Sequence, residues 1–200
     1  MDAFRETHGH SAVLVSVTQA DSGANCPTLP NGKCYCTTSE EQRVIDEEGS
    51  PSGPLLRAVN AVAASVAESH PLAVIETLAY SYTLQPPRLV RPRSNVNIVF
   101  CAAENDDIKD TNALPLTHPA NAQMLTALKK WSALMPRDGR GALKIWAYTA
   151  NFDNDVMPVP NWLAVGQNIQ IYAQNRASGC KSAASLCALV SSISICLPLD

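Results

Sequence analysis

Short apolar runs rich in β-branched residues alternate along most of this chain with segments whose apolar residues recur at helical spacing. The first run, residues 11–17, ends at the turn-forming Asp21-Ser-Gly23 and reads as a buried strand. Residues 72–78, 95–101 and 143–148 supply three more. Between them, Leu55, Leu56, Val59, Val62, Ala63 and Val66 predict a helix over 54–69, which Pro54 suits at its start and His70-Pro71 stops. Met124, Leu125, Leu128, Trp131 and Leu134 predict a second over 121–135, and a third is expected over 161–174. A short helix is also expected over 39–47, with Ser39 as its cap. Parallel neighbours need a return path of a dozen or more residues, so this alternation predicts an α/β fold of parallel strands and helices. Four such units make about half of a TIM-type (β/α)8 barrel, because a whole one takes roughly 250 residues.

The 200 residues, 46% hydrophobic and 16% charged, suffice for one domain with a real core. Three segments are expected: a polar lead-in over 1–10, the barrel-like domain over 11–176, and a Ser/Ala/Cys-rich tail over 177–200 lying outside the fold. The tail holds eighteen uncharged residues, 182–199, but five are serine, which argues against a membrane span. No charged, then apolar, leader opens the sequence, so no secretion signal is expected and localisation stays undetermined. A net charge of −3, with Lys and Arg scattered, argues against nucleic acid as a partner.

In parallel α/β folds the carboxyl ends of the strands gather on one side of the sheet, and the loops there form the site. Those ends carry Gln19 and Asp21, then Tyr80 and Tyr82, then Glu104, then Trp146, Tyr148 and Asn151. Aromatic rings offer broad contact to the C–H faces of a sugar, while carboxylates and amides bond its hydroxyls. The same aromatics on a strand also fit a core. Glycoside hydrolysis commonly needs two acids, and of the carboxylates at these ends, which include Asp106 and Asp107, Glu104 and Asp21 are the two singled out. Glu76 lies mid-strand and reads as a partner within the sheet, and Asp46-Glu47-Glu48 reads as solvated loop charge. Cys26, Cys34 and Cys36 are close enough to hold a structural zinc, with a disulfide or plain thiols as the alternatives; no fourth ligand lies nearby, and no other cofactor is implied.

Several of these segments resemble domain-of-unknown-function family 4838. They are residues 15–21 before the cysteine loop, residues 45–62, residues 77–83 with Pro86-Pro87, and residues 145–152, in order across roughly 11–175. The resemblance implies a TIM barrel related to glycoside hydrolases. It also shows departures: Gln19-Ala20-Asp21 stands where the family has Gln-Asn-Asp, and Trp146-Ala147-Tyr148 where it has Trp-Asp-Tyr. An acid is thus replaced by Ala147, while Glu104 matches the family's acid after the third strand.

The function expected is that of a glycoside-hydrolase-like domain acting on or binding an oligo- or polysaccharide. Glu104 and Asp21 would be the catalytic acids; Gln19, Tyr80, Tyr82, Trp146, Tyr148 and Asn151 would contact the sugar. A non-catalytic carbohydrate-binding or assembly fragment is the alternative, and a cysteine-rich metal module a weaker one.

Overall fold

The computed structural model describes residues 14–19, 38–102, 114–148 and 161–183. Five strands alternate with helices: β1 (Leu14–Ser16), α1 (Ser39–Glu48), α2 (Ser52–Ser69), β2 (Val74–Ala79), β3 (Val96–Ala102), α3 (Ala122–Leu134), β4 (Leu143–Tyr148), α4 (Trp162–Gln174) and β5 (Ala177–Ala183). The strands run parallel and hydrogen-bond in the order β1-β2-β3-β4-β5. A doubly wound sheet reverses its order at a switch point. This one never does, so its order is that of a partial TIM-type barrel.

The chain divides into two compact units, residues 1–98 with 136–141 and residues 99–135 with 142–200. In the first, α1 begins at a capping box. Thr38, one residue before the expected cap Ser39, accepts from the Glu41 backbone N–H through its hydroxyl at 3.1 Å, and the Glu41 carboxylate accepts from the Thr38 N–H at 2.8 Å. The helix ends at Gly49, whose φ of 70° is left-handed and whose N–H donates to Ile45 O at 2.7 Å. Helix α2 buries Leu56, Val59 and Ala63, three of the six residues of the expected stripe, while Leu55 and Val66 are half-buried and Val62 is exposed; it packs against β2, where Ile75 and Ala79 are buried. Asn95, just ahead of β3, donates to Ala63 O at 3.0 Å and fastens that strand's start to the helix.

Strand β1 pairs with β2 from Leu14 opposite Val74 to Ser16 opposite Glu76. It is less covered than its apolar sequence suggests, with Val15 37% exposed and Ser16 exposed. The reason is position: β1 is first in the order and has one strand beside it. Strand β3, third of five, is buried at every residue from Val96 to Ala102, as a parallel strand covered on both faces should be. The Asn97 side chain donates to the Glu76 carboxylate at 3.4 Å, so Glu76 does find its partner within the sheet.

Glu48 corrects the expectation of a solvated acidic run. It is 1% exposed. Its carboxylate accepts from Arg57 Nη2 at 2.5 Å and Nε at 3.0 Å, and from the backbone N–H groups of Leu89 at 2.8 Å and Val90 at 3.0 Å. Burial pushes this carboxyl up, but the Val90 and Leu89 donors and the Arg57 guanidinium outweigh it and hold it below the usual carboxylate range. The hydroxyls of Ser50 and Ser52 each lie 2.6 Å from Gln85 O, so the turn between α1 and α2 grips both ends of the loop over 85–90.

In the second unit α3 buries Met124, Ala127, Leu128 and Trp131, leaving Lys129 and Lys130 outside as expected. The Ser132 hydroxyl donates to Asn175 O at 2.8 Å, and the Arg176 guanidinium donates to Ser132 O, joining α3 to the end of α4. Strand β5 then pairs with β4 in parallel, Leu143 opposite Ala177 and Tyr148 opposite Ala183. Residues 177–183, expected outside the fold, are therefore its fifth strand.

Candidate functional site

The carboxyl ends of β1 and β2 meet in the first unit. Gln19 Nε2 donates to Tyr80 O at 3.1 Å and lies 2.9 Å from Thr83 Oγ1. A carbonyl can only accept, so the first of these bonds fixes which end of the amide is nitrogen. Thr83 Oγ1 accepts from the Tyr80 N–H at 3.3 Å and donates to Tyr80 O at 2.9 Å, closing a single turn of 3-10 helix over Ser81–Thr83. Ser81 sits at φ 51°, a left-handed conformation that costs a non-glycine residue free energy and that clusters at binding sites. Tyr80 and Tyr82 flank it, both half-buried.

This lock leaves one polar atom unused. Gln19 Oε1 is buried and has no hydrogen-bond partner among the described residues. A buried amide oxygen without a donor costs about 1–3 kcal/mol, so the position suits a donor from outside the chain.

In the second unit, residues 144, 146 and 148 share one side of β4, opposite the buried Leu143 and Ile145. Trp146 is 36% exposed and Tyr148 half-buried, so the indole is available as a flat surface rather than spent in the core. Ala147, between them, offers no functional group.

The structure thus brings Gln19 to the Tyr80 turn and sets Trp146 beside Tyr148 on the strand. Asp21, Glu104, Asn151 and the three expected metal ligands Cys26, Cys34 and Cys36 lie outside the described residues. Among the described residues no group of three or more His, Cys, Asp or Glu side chains could hold a metal, and no helix is long and apolar enough to cross a membrane. Cys180, on β5, is half-buried, and that burial pushes its thiol up, the opposite of what an activated nucleophile needs. Sequence reasoning found Gln19 but missed Thr83 and Ser81. The spacing of Tyr80 to Thr83, in which a hydroxyl can close a turn on the preceding strand end, was the available signal.

The family model for the domain of unknown function DUF4838 matches residues 6–193. The chain belongs to the DUF4838 family. No curated protein and no solved structure matches it. The DUF4838 match extends past both limits of the expected domain and takes in β5.

Proposed function

We propose that this DUF4838 chain is a glycoside-hydrolase-like domain that acts on or binds an oligo- or polysaccharide through the loops after its parallel strands. The observation that carries the reading is the unfilled Gln19 Oε1, held in place through its own amide nitrogen. A sugar hydroxyl is a donor of the right kind for it, and leaves its own oxygen free to accept elsewhere. In the first unit Tyr80 and Tyr82 add aromatic surface beside that acceptor. In the second, Trp146 and Tyr148 supply rings for a sugar's C–H face and Asn151 an amide for its hydroxyls. Glu104 is the proposed acid/base and Asp21 the second carboxylate.

Ala147, which stands where the family pattern that this chain resembles has an acid, favours a second reading in which the saccharide is bound but not cleaved. One set of measurements separates the two. Titration calorimetry against a panel of oligosaccharides should give binding that weakens at least tenfold in Gln19→Leu, as expected for a lost hydrogen bond and a vacated polar site, and that weakens also in Trp146→Ala. Turnover of chromogenic glycosides, abolished in Glu104→Gln while binding survives, would establish hydrolysis. Binding without turnover would establish the second reading. Binding indifferent to both Gln19→Leu and Trp146→Ala, or absent across the panel, would overturn the proposal.

A further inference from the structure

Two loops of the first unit meet at the amino ends of β2 and β3, and both carry exposed arginines. In the Arg-Pro-Arg-Ser arch over 91–94, Pro92 is buried while Arg91 and Arg93 are exposed. The Asn60 side-chain amide on α2 clamps this arch twice, Nδ2 donating to Arg91 O at 2.8 Å and Oδ1 accepting from the Arg93 N–H at 3.0 Å. Residues 136–141, which belong to the same unit, lie against it: Ser94 O accepts from the Arg140 N–H at 2.8 Å and from the Gly141 N–H at 2.7 Å. The approach needs glycine twice. Gly139 sits at φ 108°, where a Cβ would stand 2.5 Å from Ser94 Cβ and O, and a Cβ on Gly141 would overlap Val96 O. Arg137 and Arg140, both exposed, are thereby set beside Arg91 and Arg93.

Four guanidinium groups thus share one surface with little to neutralise them. Those of Arg91, Arg93 and Arg137 make no hydrogen bond or ion pair among the described residues, and that of Arg140 donates to a backbone carbonyl, Pro71 O. Arg88 differs, being committed to Asp46 O and Glu47 O at the end of α1. The acids nearest in sequence are Asp138 and Glu68, so positive charge prevails here in a chain whose net charge is −3. None of the four is a lysine. The planar fork of arginine matches the paired oxygens of an oxyanion, which the point charge of lysine does not. Like charges held close together repel, yet the Asn60 clamp and the two glycines fix them there. A bound polyanion relieves that repulsion.

We infer that Arg91, Arg93, Arg137 and Arg140 form a docking surface for the anionic groups, carboxylate or sulfate, of an acidic polysaccharide. The surface stands apart from the Gln19 end. Pro71 and Ser94 precede β2 and β3, whereas the Tyr80 turn follows β2, and six strand residues at about 3.3 Å each put about 20 Å between the two. Duplex DNA presents one charge per about 1.7 Å and is gripped through many phosphates; four arginines on two short loops suit the sparser charge of a saccharide. That the anion is a saccharide rests on the reading of the Gln19 end; that the surface takes oxyanions rests on the arginines alone.

The test is titration of the full chain, at low salt, with heparin and with polygalacturonate oligosaccharides. The comparison is a triple variant carrying Arg91→Gln, Arg93→Gln and Arg137→Gln, whose exposed side chains make no bond that the fold needs, so its thermal midpoint should match the parent's. Binding should be at least tenfold weaker in the triple variant, should weaken in the parent as salt is raised, and should be unchanged in Arg43→Gln, whose guanidinium is paired with Glu40 on α1. Binding of one polymer alone would support the inference and name the group as sulfate or carboxylate. Equal binding by the parent and the triple variant, or binding of neither polymer, would overturn it. So would polyglutamate or duplex DNA bound through the same arginines more tightly than either saccharide, which would assign the surface to an acidic protein or to nucleic acid. Neutral oligosaccharides, titrated into the parent and Gln19→Leu, read the Gln19 end alone, so either reading can fall without the other.

Discussion

Glu48 does more for the first unit than any other single side chain described. Its carboxylate answers a guanidinium and two backbone N–H groups that lie about 40 residues further along the chain. Arg57 has Glu47 as a second partner at 3.1 Å, but Leu89 and Val90 have no such alternative among the bonds described. Glu48→Gln should therefore cost about 1.5–3 kcal/mol, the range for a hydrogen bond to a charged group, read as a lower urea midpoint at pH 7. Because the folded carboxyl is held below its ordinary value, its stabilisation is complete above the ordinary carboxylate range near 4.3 and drains away as pH falls through the lower folded value. The gap between the parent and Glu48→Gln should accordingly be wide at pH 7 and narrow near pH 3. A gap that widened on acidification would contradict this account. None of it was legible in Asp46-Glu47-Glu48, since a run of acids says nothing of donors that the fold brings from elsewhere. Gln19 was legible as a strand-end residue, yet its unfilled oxygen becomes visible only once Tyr80 and Thr83 have taken the other end of the amide.

Among the elements, α2 could be read best, because its apolar residues keep one periodicity over a long run; the core takes Leu56, Val59 and Ala63 and leaves Val62, at the margin of that stripe, exposed. Strand β5 could be read worst. Its sequence, Ala-Ser-Gly-Cys-Lys-Ser-Ala, has no β-branched or aromatic residue, so strand propensity is absent and pairing with β4 alone decides its state. The start of α2 gives a test in which a local rule and a tertiary contact disagree in sign. Gly53 lies in the first turn, where alanine is ordinarily worth about 1 kcal/mol more than glycine in a helix. A Cβ there would meet Glu48 Cβ and Cγ at 2.5 Å. Gly53→Ala should therefore lower the thermal midpoint, whereas Ser65→Ala, on the exposed side of the same helix, should leave it unchanged or raise it. A stabilised Gly53→Ala protein would show that the Glu48 side chain yields its place easily.

For the molecule as a whole, the parallel α/β class followed from the alternation of runs alone, because parallel strands leave no other route for the chain. The number of strands did not follow, since a strand whose only apolar residues are Ala177, Cys180 and Ala183 leaves little trace in hydropathy. Ending the chain at Arg176, the expected limit of the domain, would strip β4 of its β5 partner and bare a row of backbone donors and acceptors. That protein should elute as aggregate in size-exclusion chromatography, while a chain ending at Ala183 keeps the pair and should contain a larger monomeric fraction. Equal elution of the two would mean that β5 contributes nothing to closing the sheet.

The sequential strand order also bears on how the protein is made. Each inner strand bonds to the one translated just before it and to the one translated just after. A ribosome therefore delivers the sheet in the order of its assembly: from β2 to β5, every emerging strand finds its earlier neighbour already waiting at the edge that the preceding strand left open.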